Sequence, residues 1–129
     1  MNKKTAISGA VLIVIAIILG AFGAHALKEK LDVNQLSSFE TGVRYQMYQG
    51  FALLILGLNA AKVKFELKWI TGLLLAGTLL FSCSIYGLSL QPIIEVKLSF
   101  LGPITPLGGL LLIIAWVIFI VQLTRQKNG

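Results

Sequence analysis

The chain has 129 residues, room for one domain, of which 57% are hydrophobic and only 12% charged. A water-soluble globule of that size and composition would be coated in apolar surface, so the composition selects a lipid solvent. The net charge of +6 comes from 11 Lys and Arg residues scattered over short connections with no continuous basic face, which excludes nucleic acid as a partner.

Four apolar runs, at about residues 6–26, 45–61, 69–90 and 104–123, match the roughly 20 residues that cross the hydrocarbon layer. Backbone N–H and C=O groups in lipid must be satisfied within each segment, and no apolar–polar alternation suggests a barrel. The expected fold is therefore all-α, an antiparallel four-helix transmembrane bundle in a single domain. Seven of the 11 Lys and Arg residues then fall on one side: Lys3, Lys4, Lys62, Lys64, Lys68, Arg125 and Lys127. Lys28, Lys30, Arg44 and Lys97 fall on the other, and the positive-inside rule puts both termini in the cytoplasm.

In chain order, the first run follows Lys3-Lys4 and ends at Ala24-His25-Ala26, an arrangement that imitates a secretory signal. It is longer than a usual signal core and can span by itself, so it is expected to remain as an anchor. Ala16, Gly20 and Ala24 form a small-residue stripe at four-residue spacing, a packing face for another helix. Residues 34–44 read as an outer amphipathic segment, with Leu36, Phe39, Val43 and Met47 on one stripe and Asn34 or Ser37 as its cap. Glu40 and Arg44 can pair four residues apart, with Arg44 snorkelling to the headgroups. The run Phe51 to Leu58 is too short to cross, so this segment must continue into the second span and carry Tyr45, Gln46, Tyr48 and Gln49 with it.

Gly50, Gly57 and Ala61 continue a small-residue face, and the short connection at 62–68 makes the second and third spans antiparallel neighbours. The third span holds the small pair Gly72 and Ala76, then Ser82, Ser84 and Tyr86, with Cys83 packing as a small apolar residue. Thr105 is the expected cap of the fourth span, Pro106 its first residue, and Gly108-Gly109 allow close packing. The small residues Ala16, Gly20, Ala24, Gly50 and Gly57 also offer a face for a homo-oligomer.

The topology gathers polar groups at the outer end: His25, Arg44, Tyr45, Tyr48, Gln49, Ser82, Ser84, Tyr86 and Thr105. Such a layer can be an interfacial aromatic belt with interhelical hydrogen bonds, or a shallow pocket for a small polar molecule or lipid headgroup. Proton or metal chemistry would rest on His25, which has no second His or Cys ligand set beside it, so no metal or cofactor is expected. The sequence offers no nucleophile with an adjacent base and no paired membrane carboxylates, so no catalytic residue and no enzyme activity are expected.

Four ordered strings carry a resemblance: Gly20-Ala-Phe-Gly-Ala-His-Ala-Leu27, Thr41-Gly-Val-Arg-Tyr-Gln-Met-Tyr48, Phe81-Ser-Cys-Ser-Ile-Tyr86 and Leu101-Gly-Pro-Ile-Thr-Pro-Leu-Gly-Gly109. Together they resemble the YwdK/YgdD-like family of small four-span bacterial membrane proteins of unknown function. The resemblance implies a bacterial inner-membrane location and adds no reaction. The chain departs from the family pattern at Gln49, where His is usual, and at Cys83, where Gly is common. Gln49 cannot titrate, which removes a second histidine from any site built on His25. The reading is a non-enzymatic integral membrane protein that binds a partner or a small polar or lipid ligand through the outer layer. The alternative is a small oligomeric transporter or channel. In a Cys83-free background, a membrane-impermeant thiol reagent applied from outside should label Lys30→Cys and leave Lys64→Cys untouched; the reverse pattern would invert the topology.

Overall fold

A computed structural model describes residues 1–127 and contains four long helices joined by short turns. Helix α1 spans Lys3–Phe22 and is capped by Asn2, whose side-chain Oδ1 accepts the Thr5 N–H at 3.2 Å. It runs into a π-helical turn, Gly23–Leu27, which reorients the chain so that Leu27 and Leu31 pack on Phe39. Gly23 lets the Phe39 ring pack closely there, since a Cβ would lie 3.0 Å from the ring and push it back by a few tenths of an ångström.

Helix α2, Val33–Leu58, is a single unbroken helix of 26 residues covering both the amphipathic segment and the second apolar run. Its cap is Asp32, not Asn34 or Ser37. The Asp32 carboxylate accepts the Gln35 N–H at 2.7 Å, while Gln35 Oε1 accepts the Asp32 N–H at 3.3 Å. The amphipathic segment read from the sequence begins at residue 34, which leaves Asp32 outside it. A short turn, Ala60–Lys62, leads to α3, Lys68–Ile94. Pro92 lies inside α3 and cannot donate to the Leu88 carbonyl; the Gln91 Nε2 fills that place at 3.1 Å. Helix α3 stops at Glu95, which adopts a left-handed conformation at φ 56°. After the turn Ser99–Leu101, α4 runs Ile104–Arg125 from Pro103 with no side-chain cap. Thr105 therefore lies one residue inside the helix, and its hydroxyl goes to Ser84 instead.

The helices are arranged as two antiparallel hairpins, α1 on α2 and α3 on α4, joined where α2 packs on α3. Glycines set the close approaches. A Cβ on Gly9 would overlap the Leu54 amide and the Gly50 carbonyl, one on Gly57 would strike the Ala6 backbone, and one on Gly108 would strike the Phe81 amide. Ala16, Gly50 and Gly57 are buried by these contacts within one chain, so of the five small residues proposed for an oligomer face only Ala24 is exposed. Gly72 and Ala76 point outward, and nothing lies within 4 Å of a Cβ built on Gly72; Gly77 is the glycine of α3 that meets α4. Cys83 is exposed rather than packed inside, because Ser82 and Ser84 take the inward positions on either side of it. Ala61 is exposed as well, beyond the end of α2.

One core cluster gathers Leu12, Leu53, Leu56, Ile70, Leu74, Leu112 and Ala115 toward the end that carries both termini. The N-terminus, the α2–α3 connection and the C-terminal segment meet there, through Asn2 N–H to the Gly57 carbonyl at 2.7 Å and Lys64 N–H to Gln126 Oε1 at 2.6 Å. The opposite end, called distal below, holds the second cluster, Leu27, Leu31 and Phe39. The molecule is apolar outside and carries buried polar groups: Ile18, Ile113 and Ile120 are exposed while Gln46, Thr78, Ser82, Ser84 and Ser89 are buried. Three stretches, Lys3–Leu27, Lys68–Ile94 and Ser99–Arg125, are long and apolar enough to cross a membrane. Helix α2 is not among them, since polar residues run through its first half as far as Gln49.

Gly57→Val should lower the thermal midpoint of the detergent-solubilised protein, with a loss of about 1–3 kcal/mol from forcing α1 and α2 apart. Gly72→Ala should leave it unchanged or raise it slightly. Equal midpoints for the two variants would show that the Gly57–Ala6 approach does not hold the hairpin together.

Candidate functional site

Polar side chains from three helices meet between the middle of the bundle and its distal end. Gln46 is 4% exposed on α2 and lies between its neighbours. Its Nε2 donates to the Leu12 carbonyl of α1 at 2.9 Å, and its Oε1 accepts the Tyr86 hydroxyl of α3 at 2.6 Å. Gly42, one turn away, leaves room for the Tyr86 ring and offers its carbonyl to the Ser82 hydroxyl at 2.8 Å. Tyr86 also packs on Phe39, with ring centroids 5.1 Å apart. Ser84 Oγ and Thr105 Oγ1 lie 2.6 Å apart across α3 and α4, and Ser84 donates to the Phe81 carbonyl at 2.9 Å. Each of these bonds satisfies a group that lipid could not solvate.

The candidate residues therefore divide into three groups. Ser82, Ser84, Tyr86 and Thr105 converge on the helix interfaces. Gln49 sits deeper and accepts the Trp116 indole N–H at 3.1 Å, and Tyr45 packs its ring on Phe81 at 5.0 Å. His25, Arg44 and Tyr48 point away from this assembly. His25 is exposed in the π turn, Tyr48 is exposed on α2, and Arg44 donates to Thr41 Oγ1 at 3.0 Å instead of pairing with Glu40. Among the described residues, no group of three or more His, Cys, Asp and Glu side chains could hold a metal ion.

Two cavities lie beside the network. The first, about 470 Å³, opens between the start of α2, the end of α3 and the start of α4. It is lined by Asn34, Gln35, Ser38, Ile85, Leu88, Ser89, Gly102, Thr105 and Pro106. Ser89 is 3% exposed, and its hydroxyl has no hydrogen-bond partner in the protein. A buried orphan hydroxyl is costly, and this one belongs to a residue of the cavity wall, where a small shift of the side chain would let a ligand atom complete it. The second cavity, about 480 Å³, lies deeper between α2 and α4, against Tyr45, Gln49, Phe81, Leu112 and Trp116.

Sequence reasoning placed Gln46 in the polar layer without assigning it a role, and passed over Asn34, Ser38 and Ser89 as site residues. A signal for Ser89 existed: Thr78, Ser82 and Ser89 recur at four- and seven-residue spacing, which puts all three on one buried face of α3. Tyr86→Phe should destabilise the protein by about 0.6 kcal/mol and by no more than about 1.7 kcal/mol, the range for interhelical hydrogen bonds in membrane bundles. Gln46→Leu should cost more, since it removes two bonds, and the double variant should cost no more than Gln46→Leu alone. Fully additive losses in unfolding would mean that Tyr86 and Gln46 are not coupled.

Comparisons with known proteins agree with this membrane character. Residues 19–109 match a family described as protein of unknown function (DUF423). A UPF0382 membrane protein of Staphylococcus aureus (strain bovine RF122 / ET3-1) is 41% identical over 92% of this chain and 93% of its own length. A UPF0382 membrane protein of Staphylococcus epidermidis (strain ATCC 12228 / FDA PCI 1200) is 39% identical over 92% and 93%. One from Staphylococcus haemolyticus (strain JCSC1435) is 39% identical over 93% and 94%. No solved structure matches the chain. With a family match across residues 19–109 and relatives aligned over nearly their whole length, the chain belongs to the DUF423/UPF0382 family of membrane proteins of unknown function.

Proposed function

We propose that the chain crosses the bacterial cytoplasmic membrane four times, with both termini in the cytoplasm, and that its distal end binds a small polar or lipid ligand from the outer leaflet without transforming it. Helix α2 joins the three apolar spans in this reading. Its 26 residues reach roughly 39 Å against a hydrocarbon core of about 30 Å. Its central polar side chain, Gln46, is buried and bonded, while Phe51, Ile55 and Leu58 face outward. The charge asymmetry supports the orientation, with Lys3, Lys4, Lys62, Lys64, Lys68, Arg125 and Lys127 at the end that carries both termini.

The observation that carries the binding reading is the cavity over Ser89. The other buried hydroxyls of α3, those of Thr78, Ser82 and Ser84, are spent on the fold, whereas that of Ser89, a residue in the cavity wall, has no protein partner. A non-enzymatic role is supported by the hydroxyls themselves: Ser82 and Ser84 bond to carbonyls and to Thr105, with no base to activate them. A transport path through one chain would have to displace Leu12, Leu53, Ile70, Leu74 and Leu112 from the core, so the binding reading is preferred to the channel.

Native mass spectrometry of protein released from mild detergent should find a retained small molecule on the wild type. Ser38→Trp, which fills the cavity mouth, should release it. A bare wild-type chain, or the same molecule retained by Ser38→Trp, would reject the proposal.

A further inference from the structure

The two cavities lie along one groove. On α2, Ser38, Tyr45 and Gln49 follow one another at spacings of seven and four residues; on α4, Thr105, Gly109, Leu112 and Trp116 do so at four, three and four. These spacings keep each set on a single helix face, so the cavity over Ser89 and the deeper one share the same α2–α4 walls, with Ile85 and Phe81 of α3 beneath. From Ser38 to Gln49 the groove covers 11 residues of helix, roughly 16 Å. That is about half of a 30 Å hydrocarbon core, the depth of one leaflet.

Polarity changes along the groove in the order a lipid requires. The distal cavity offers the amides of Asn34 and Gln35 and the hydroxyls of Ser38 and Ser89, with no carboxylate in its lining. Gln35 uses its Oε1 on the Asp32 N–H, which leaves its amide NH2 as a free donor. Helix α4 begins at this cavity with no side-chain cap; Pro103 and Pro106 carry no N–H, so the unpartnered first-turn amides that favour an anion are those of Ile104 and Thr105. The orphan hydroxyl of Ser89, 3% exposed, supplies an independent reason for a bound acceptor here. The deeper cavity is apolar, and the indole N–H of Trp116 is already taken by Gln49. Neither lining holds a Lys or Arg, so a phosphate here must keep part of its hydration at the cavity mouth and gains little affinity of its own; the apolar groove supplies the anchorage, which a free phosphate ion lacks.

We propose that the α2–α4 groove binds one phospholipid lengthwise, with its phosphate in the cavity over Ser89 and one acyl chain running past Tyr45 to Trp116. This rests on the reading that the distal cavity holds a ligand, and names the class.

Trp69→Phe leaves Trp116 as the one tryptophan of a chain that has two. Titrating that variant in detergent with a phospholipid brominated at mid-chain should quench Trp116 fluorescence saturably, at one lipid per chain. Ser89→Ala in the same background should weaken the apparent affinity roughly three- to tenfold, the worth of one hydrogen bond, while keeping or raising the lipid-free thermal midpoint. Gly109→Leu, which fills the deeper cavity without striking backbone, should abolish saturable quenching. Inorganic phosphate should displace the lipid poorly, and a brominated fatty alcohol should bind more weakly than the phospholipid.

Quenching that rises linearly with lipid content would overturn the inference, as would equal binding of the fatty alcohol or displacement by inorganic phosphate at comparable concentration. If mass spectrometry still finds a non-lipid molecule released by Ser38→Trp, the lipid assignment alone fails. A bare wild-type chain removes both readings.

Discussion

In lipid, burying one apolar helix against another gains little, because the tails are as apolar as the side chains they replace, so close backbone contact and interhelical hydrogen bonds must hold a bundle together. The rest of this structure depends on how α1 meets α2. Gly9 against Gly50, and Gly57 against Ala6, bring the two backbones into direct contact. Only at that separation can Gln46 reach across to the Leu12 carbonyl at 2.9 Å. The same amide then fixes Tyr86, and through it the angle at which α3 packs on α2. One hairpin thus sets the position of the next.

The second hairpin repeats the device with different residues. Gly77 and Gly108 bring α3 and α4 together, and the Ser84–Thr105 hydroxyl pair seals the contact near the distal end. Between the hairpins, α2 and α4 are held apart by α3. Trp116 bridges the remaining space to Gln49, and the gap on the distal side of that bridge stays open. The groove follows from this order of packing: two tight helix pairs joined through α2 and α3 leave α2 and α4 as neighbours without close contact. Most of the polar layer therefore does structural work, and the one buried hydroxyl among the described residues without a protein partner, that of Ser89, lies at its edge.

Much of the fold was legible in the sequence. Run lengths and the short 62–68 connection gave four helices with antiparallel neighbours, and the polar first half of α2 foretold one helix running from the amphipathic segment into the apolar run. The candidate site was legible only as a level. Composition and periodicity placed His25, Tyr48 and Ser84 at one end, but could not tell an inward side chain from an outward one. A helix whose residues are apolar all round has no moment to point with, and the outward face of a membrane helix is as hydrophobic as its inward one. For that reason Cys83 and Gly72 were read as packed when they face outward, and Ser89 was not read at all.

By itself, then, the sequence determined the solvent, the number of helices and the antiparallel packing of α2 on α3 across their short connection. These follow from length, hydropathy and charge, which act on each segment separately. The tertiary structure decided which polar groups satisfy one another and which is left without a partner. That depends on distances of a few ångströms between residues up to 67 positions apart, such as Gln49 and Trp116, and no local pattern encodes them. Ser89 is an ordinary serine in the sequence, and becomes distinctive only when every neighbouring hydroxyl has found a partner and it has not.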